Sequence, residues 1–181
     1  AQATGRVISG AGGVTVNALA ADANLSNVSA SGTVTANVAD NLDYSANTNI
    51  ATVDAFVIAA NKTGSFSAAQ GAKTITLGSG SIAKVIAASD ISGTTLSASV
   101  TKIDVSNSAT ASLSAAQAQK DITLGSGAVA KLKVSTGTDV SGLTLDSDVT
   151  EFIVTSGTLT VSTAQATGRV ISGAGGVTVN A

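Results

Sequence analysis

Apolar and polar residues alternate along this chain in short runs. Val14-Thr15-Val16, Thr33-Val34-Thr35, Ile75-Thr76-Leu77 and Thr158-Leu159-Thr160-Val161 put an apolar side chain at every second position. A period of two is the strand period, with the apolar residue turned inward and Thr outward. The runs stop at Gly, Asn, Asp or Ser, as at Gly10 to Gly13, Gly78-Ser79-Gly80 and Gly125-Ser126-Gly127. Such residues make corners, and glycine accepts the positive φ of a tight bend. No stretch sustains a 3.6-residue period, so little helix is expected. The one local exception is Ser-[Ala/Thr]-Ala-Gln, a capping-box pattern that suits a single helical turn at a corner.

The alternation is repeated on a larger scale. Residues 1–18 read AQATGRVISGAGGVTVNA, and residues 164–181 read the same without one difference. Residues 1–163 therefore form one full period of an array, and 164–181 open the next. Within the period lie sub-repeats at about 1–65, 66–112 and 113–160, with 161–163 opening the next. Their shared start, an apolar residue and then Ser-[Ala/Thr]-Ala-Gln, recurs at nearly equal intervals, from Gln70 to Gln117 and from Gln117 to Gln165. The first unit runs from Gln2 to Gln70 and is longer by close to one coil. KTITLGSGSIAK (73–84) matches KDITLGSGAVAK (120–131), and DISGTTLSASVTKIDVS (90–106) matches DVSGLTLDSDVTEFIVT (139–155). Apolar character persists where letters change: Val53 aligns with Val100 and Val149, Phe56 with Ile103 and Phe152, and Ile75 with Ile122 and Val170.

Short strands, frequent corners and tandem repetition predict an all-β fold, a parallel β-solenoid (β-helix) of right-handed sense. One coil cannot bury its apolar face alone, whereas stacked coils share a continuous core. A 47-residue sub-repeat divides into two coils of about 23–24 residues with three short strands each. About seven coils then fill the 163-residue period and advance roughly 34 Å. Equivalent residues of successive sub-repeats are expected to stack. The inner ladders are assigned to Val53, Phe56, Ile75, Leu77, Val100, Ile103, Leu113, Ile122, Leu124, Val149 and Phe152. A string of small β-sandwiches is the rival, and a sub-repeat of this length is short for one.

Composition sharpens this picture. Hydrophobic residues are 44% of the chain but aromatic ones only 2%, so the core is made of Ala, Val, Ile and Leu, which suits the narrow interior of a solenoid. Charged residues are 11%, with nine Lys and Arg scattered among eleven Asp and Glu, which argues against nucleic acid as a partner. The chain has no Cys and no His. That removes a disulfide framework, a thiol nucleophile, a Ser-His-Asp triad and the commonest metal ligands. No apolar run reaches membrane-spanning length and no signal peptide is seen.

The Ser-[Ala/Thr]-Ala-Gln start, the ITLGSG and VISGAGG segments and the long Val/Thr/Ala/Asn tracts resemble the repeat regions of giant bacterial cell-surface and extracellular adhesin-like proteins. The resemblance covers nearly the whole chain. It implies an extended stalk, fibre or matrix component, and it carries over no catalytic or ligand residues.

Candidate chemistry is sparse. Asp22, Asp90 and Asp139 precede corner segments, and Asp146, Asp148 and Glu151 cluster. Clustered carboxylates suit calcium, but neither a calcium β-roll nonapeptide nor an EF-hand loop is present. Solvated corner residues are the expected role, with the 146–151 cluster the best place for an adventitious ion. Paired acids could also serve a polysaccharide-degrading enzyme, yet few aromatic residues are available to stack on sugars. The Gly-rich GAGG lacks the ending of a phosphate loop and reads as a corner. Thr-x-Thr steps fall at different points of the sub-repeat and should not align into a flat face. Asn24, Asn27 and Asn61 lie in glycosylation sequons, which an Asn- and Thr-rich chain produces by composition.

The expected function is structural: a repeat segment of an extracellular or cell-surface fibre, stalk or filament, not an enzyme, with no cofactor or metal. Its partners are copies of itself stacked end to end or adjacent repeats of one chain. The alternative is an adhesin module recognising glycan or a cell surface, for which the long unit, 25–65, with Tyr44 and the tract Asn41 to Asn49 is the candidate.

Overall fold

The computed structural model describes residues 3–180. In chain order its strands are β1 Ile8–Gly10, β2 Val14–Val16, β3 Val28–Ala30, β4 Val34–Val38, β5 Leu42–Asp43, β6 Ala55–Ile58, β7 Thr63–Phe66, β8 Thr74–Leu77 and β9 Ile82–Ala87. They continue with β10 Val100–Val105, β11 Thr110–Leu113, β12 Asp121–Leu124, β13 Val129–Val134, β14 Thr138–Asp139, β15 Val149–Val154, β16 Thr158–Ser162, β17 Val170–Gly173 and β18 Gly176–Asn180. Helix is confined to a 3-10 turn, Thr48–Ile50, and two single turns, α1 Ala68–Gly71 and α2 Thr163–Ala166. The fold is an all-β parallel β-solenoid of about nine turns.

Two compact units are distinguished, one of residues 1–86 with 95–102, the other of 87–94 with 103–181. In the first, β2-β4-β6-β8 form one parallel ladder, β5-β7-β9 a second and β1-β3 a third. In the second, β11-β13-β15-β17 and β14-β16-β18 are the parallel ladders, and β12 lies beside β10.

The registers measure the coil. Val14 faces Val34 and Phe56 faces Ile75 in the first unit; Leu113 faces Leu132 and Thr158 faces Gly176 in the second. Each of these steps closes one turn, and each is shorter than the expected coil. One 163-residue period therefore holds about eight turns instead of about seven. The eighteen strands among the described residues amount to two per turn, not three. A longer connection completes each circuit where a third strand was expected.

This shorter coil also corrects the stacking scheme. The sub-repeat from Gln70 to Gln117 covers about two and a half turns, so equivalent segments of successive sub-repeats enter different sheets. In the second unit β11 and its equivalent β16 lie in separate ladders, as do β12 and its equivalent β17. Phe152 therefore packs in register with Leu132 and Ile171, not with Ile103. In the first unit Phe56 faces Ile75 directly. Of the eleven residues assigned to the inner ladders, nine are buried. Leu77 and Leu124 are only half-buried, because each ends its strand beside a glycine corner.

Pairs of residues two apart share a face and exchange volume between equivalent strands. Gly64 and Phe66 on β7 become Ala111 and Leu113 on β11, then Leu159 and Val161 on β16. A side chain at Gly64 would begin 2.7 Å from the Phe66 ring, so the small residue makes room for the large one. Phe66 completes a cluster with Phe56 and Tyr44, at centroid separations of 4.8 and 5.8 Å, and all three are fully buried. Phe66→Ala is expected to destabilise this unit by about 3–5 kcal/mol, read by denaturant unfolding. A loss below about 1 kcal/mol would place the ring outside the core.

The Gly-Ser-Gly corners use their glycines differently. Gly127 has a φ of +67°, the conformation expected of a bend. Gly125 is present for proximity: a Cβ there would lie 2.7 Å from the Asn107 backbone N and 2.8 Å from the Val105 carbonyl oxygen of the preceding coil.

Candidate functional site: the glutamine corners and the polar groove

The shared Ser-[Ala/Thr]-Ala-Gln segment does more than start a helical turn. At the first corner the Ser67 amide donates to Gln70 Oε1 at 2.9 Å and the Gln70 amide donates to Ser67 Oγ at 3.3 Å, the reciprocal bonds of a capping box. The remaining Nε2 group then donates to the carbonyls of Tyr44 and Asn47 at 3.0 and 2.8 Å. Gln117 does the same to Ile91 and Thr94 at 2.9 and 2.7 Å, and Gln165 to Val140 and Leu143 at 2.6 and 2.8 Å. Each acceptor lies 22–26 residues upstream, so the corner Gln ties its coil to the preceding one. All three side chains are buried. Unpaired buried carbonyls are costly, and the two Nε2 hydrogens satisfy one each. The capping box was legible in sequence; the bond between coils was not. Its one visible signal is that the third helical position is always Gln and never Glu, although both fit a capping box. Gln2 lies outside the described residues.

The acidic residues divide by role. Asp90 and Asp139 each open a turn, accepting from the amide and hydroxyl of Ser92 and Ser141. Asp22 is exposed and makes no such turn; Asn24 takes that place with Ser26. The 146–151 cluster does not converge. Asp146 accepts from the amides of Ile122 and Asp148, while Glu151 pairs with Lys131 in the adjacent strand at 2.6 Å. No group of acids that could hold a metal ion exists among the described residues.

Asp90 also accepts from Lys133 at 2.5 Å, and this bond, helped by Ser92, lowers its carboxyl to a pKa of about 2. The pair lies in an open groove of about 610 Å³ in the second unit, with Ser92, Thr94, Ser114, Ser135 and Thr138 among its lining residues. Because the folded pKa is depressed, the pair's stabilisation is present above the unfolded value near 4 and is lost as pH falls through about 2. Asp90→Asn should therefore flatten the melting temperature between pH 4 and pH 2. The effect is small, since the carboxylate is partly exposed and screened. An unchanged acid dependence would show that another group carries it.

The long unit, 25–65, lacks the aromatic platform expected of a glycan site. Tyr44 is fully buried and donates its hydroxyl to the Leu19 carbonyl at 2.7 Å. Burial, with the Asp40 charge adding to it, raises its pKa to about 12. Asn47, from the same tract, donates to the carbonyls of Ala21 and Ala23. A cleft of about 350 Å³ opens beside it, with Asn47, Thr48, Ala51, Ala69 and Lys73 among its lining residues.

No protein-family model, curated protein or solved structure matches the chain.

The function is therefore argued from the geometry itself. Among the described residues no helix is long and apolar enough to cross a membrane. GAGG, considered above for phosphate, is a corner against which the next coil closes. A Cβ on Gly32 would lie 2.6 Å from the Gly13 amide nitrogen, so both backbones must be bare to approach.

Proposed function

We propose that this chain is a structural repeat segment of an extracellular or cell-surface fibre, stalk or filament, like the repeat regions of giant bacterial adhesin-like proteins, built by coil-on-coil β stacking. The observation that carries the reading is the exact return of the segment 1–18 as the segment 164–181 in a parallel β-solenoid. A period that begins and ends on the same coil sequence can be extended without a new interface. Mechanically, each coil satisfies the backbone groups of the next, and the buried Gln corners add side-chain ties between coils. The partners are adjacent repeats of one chain or copies of it, and catalysis is no part of the proposal.

The test is small-angle scattering on chains of one, two and four tandem periods. A constant cross-section with a length proportional to period number is expected. A cross-section that grows with period number would reject a continuous stack.

A second reading, binding of a neutral glycan, rests on the groove around Asp90 and Lys133, whose lining is rich in Ser and Thr, residue types able to hydrogen-bond sugar hydroxyls. A glycan array with no signal from the full chain would remove it.

A further inference from the structure

Each glutamine corner ends on a basic residue. Lys73, Lys120 and Arg169 stand directly before β8, β12 and β17, at the same distance after Phe56, Ile103 and Phe152 in turn. Arg169 lays its guanidinium 5.4 Å from the Phe152 ring centre and donates to the carbonyls of Val149 and Gln165 at 2.7 and 2.9 Å. Lys120 is half-buried, and loss of water lowers its pKa. Lys73 differs from both. Among the described residues its ammonium meets no carboxylate and makes no hydrogen bond. At the place that Arg169 fills over Phe152, the cleft of about 350 Å³ stands open, bordered by Lys73 and Phe56.

The side-chain amides around this cleft are already committed. Asn47 donates to the carbonyls of Ala21 and Ala23 and accepts from the Asn49 amide. Gln70 is spent on the capping box and on the carbonyls of Tyr44 and Asn47. Lys73 is thus the one charged residue of the lining, with the hydroxyls of Ser45 and Thr48 able to donate as well. The apolar part of the lining is the exposed Ala51 and Ala69, with the buried side chains of Ile50, Val53 and Phe56 behind them. We propose that this cleft binds a small amphipathic carboxylate, its apolar chain laid between Ala51 and Ala69 and its carboxylate paired with Lys73. A purely apolar ligand would leave the ammonium without a partner, and an inorganic anion would leave the apolar lining in water. An amphipathic cation would meet Lys73 as a like charge. The volume is at the lower end of the range of about 300–1,000 Å³ usual for small-molecule sites, which suits a single short chain. The site goes beyond the stacking function and does not depend on it, because its lining lies wholly between Ser45 and Lys73 in the first unit.

Titration calorimetry of the full chain with decanoate, and with decan-1-ol as its neutral counterpart, tests the site. Decanoate should bind saturably at one site per chain and more tightly than the alcohol. Lys73→Met keeps the aliphatic stem and removes the charge. It should weaken decanoate about tenfold or more and leave the alcohol unchanged. Lys62→Met is the control for general attraction of anions, since Lys62 already pairs with Asp40 at 3.4 Å, and it should leave decanoate binding as it was. Ala69→Trp fills the cleft from an exposed position and should abolish binding of both probes, with the melting curve showing that the variant is folded. If that variant does not fold, Ala51→Trp fills the cleft from the other segment and should do the same. Absence of saturable decanoate binding overturns the proposal. So does decanol binding as tightly as decanoate, or an equal loss from Lys73→Met and Lys62→Met. Decanoate binding that survives the folded tryptophan variant overturns it too, because the probe would then sit elsewhere.

Discussion

Gln117→Glu should destabilise the protein by about 3 kcal/mol or more at pH 7, although it preserves the capping box. The carboxylate can still accept from the Ser114 amide, as Gln117 Oε1 does at 2.8 Å. What it cannot do is donate. The carbonyls of Ile91 and Thr94, now 2.9 and 2.7 Å from Nε2, would face a negative oxygen in a site where the side chain is 2% exposed. Burial and two opposing carbonyl dipoles raise the pKa of such a carboxyl above its unfolded value near 4.3. The penalty is therefore full above the raised pKa and shrinks as pH falls toward 4, where a proton restores one of the two donors. Gln117→Ala serves as the control: it loses the bonds without adding charge, so its smaller loss should not depend on pH in this range. Denaturant unfolding at pH 7 and pH 4.5 reads both variants. A Glu variant as stable as the parent at pH 7 would mean that the tie between coils is not made.

Ile122→Asp should abolish cooperative unfolding of the second unit. Ile122 is 4% exposed on β12, and its amide donates to the Asp146 carboxylate at 3.2 Å. An aspartate there buries an unpaired charge in an apolar core next to an existing carboxylate, and both effects act in the same direction. Coils contact mainly their neighbours, so a broken coil interrupts the stack on both sides. Ile122→Val, which removes one methylene, should cost only about 0.5–1.5 kcal/mol and keep a single transition. Thermal melting followed by circular dichroism distinguishes the two. A sharp, little-shifted melt for the Asp variant would place this ladder at the surface.

Much of the fold was legible because its causes are local. The Val14-Thr15-Val16 alternation became β2, and Ser67 with Gln70 became the capping box of α1. Burial of Phe56, Ile103 and Phe152 followed from apolar character that survived changes of residue. The coil length was not legible, because sub-repeat spacing reports duplication of sequence whereas coil length reports how much chain closes a turn. A sub-repeat of about two and a half turns is half a turn away from a whole number, so Phe152 meets Leu132 and Ile171, segments unlike its own. The glycine corners were half legible. The positive φ of Gly127 is a local property, but the need for a bare Cα at Gly125 comes from Val105 and Asn107 in another coil. Tyr44 misled for a similar reason: a lone Tyr in a polar tract suggests a recognition surface, yet its hydroxyl needed only one acceptor, the Leu19 carbonyl, to be buried.

The stacked solenoid as a repeating fibre is tested most directly by electron microscopy of a chain carrying several 163-residue periods, with the axial repeat read from averaged images. About eight turns per period at a strand spacing of roughly 4.8 Å give an axial repeat of roughly 39 Å along a continuous rod. Separate beads joined by flexible gaps would contradict the account, because coils that do not stack across period boundaries cannot form a fibre by β pairing.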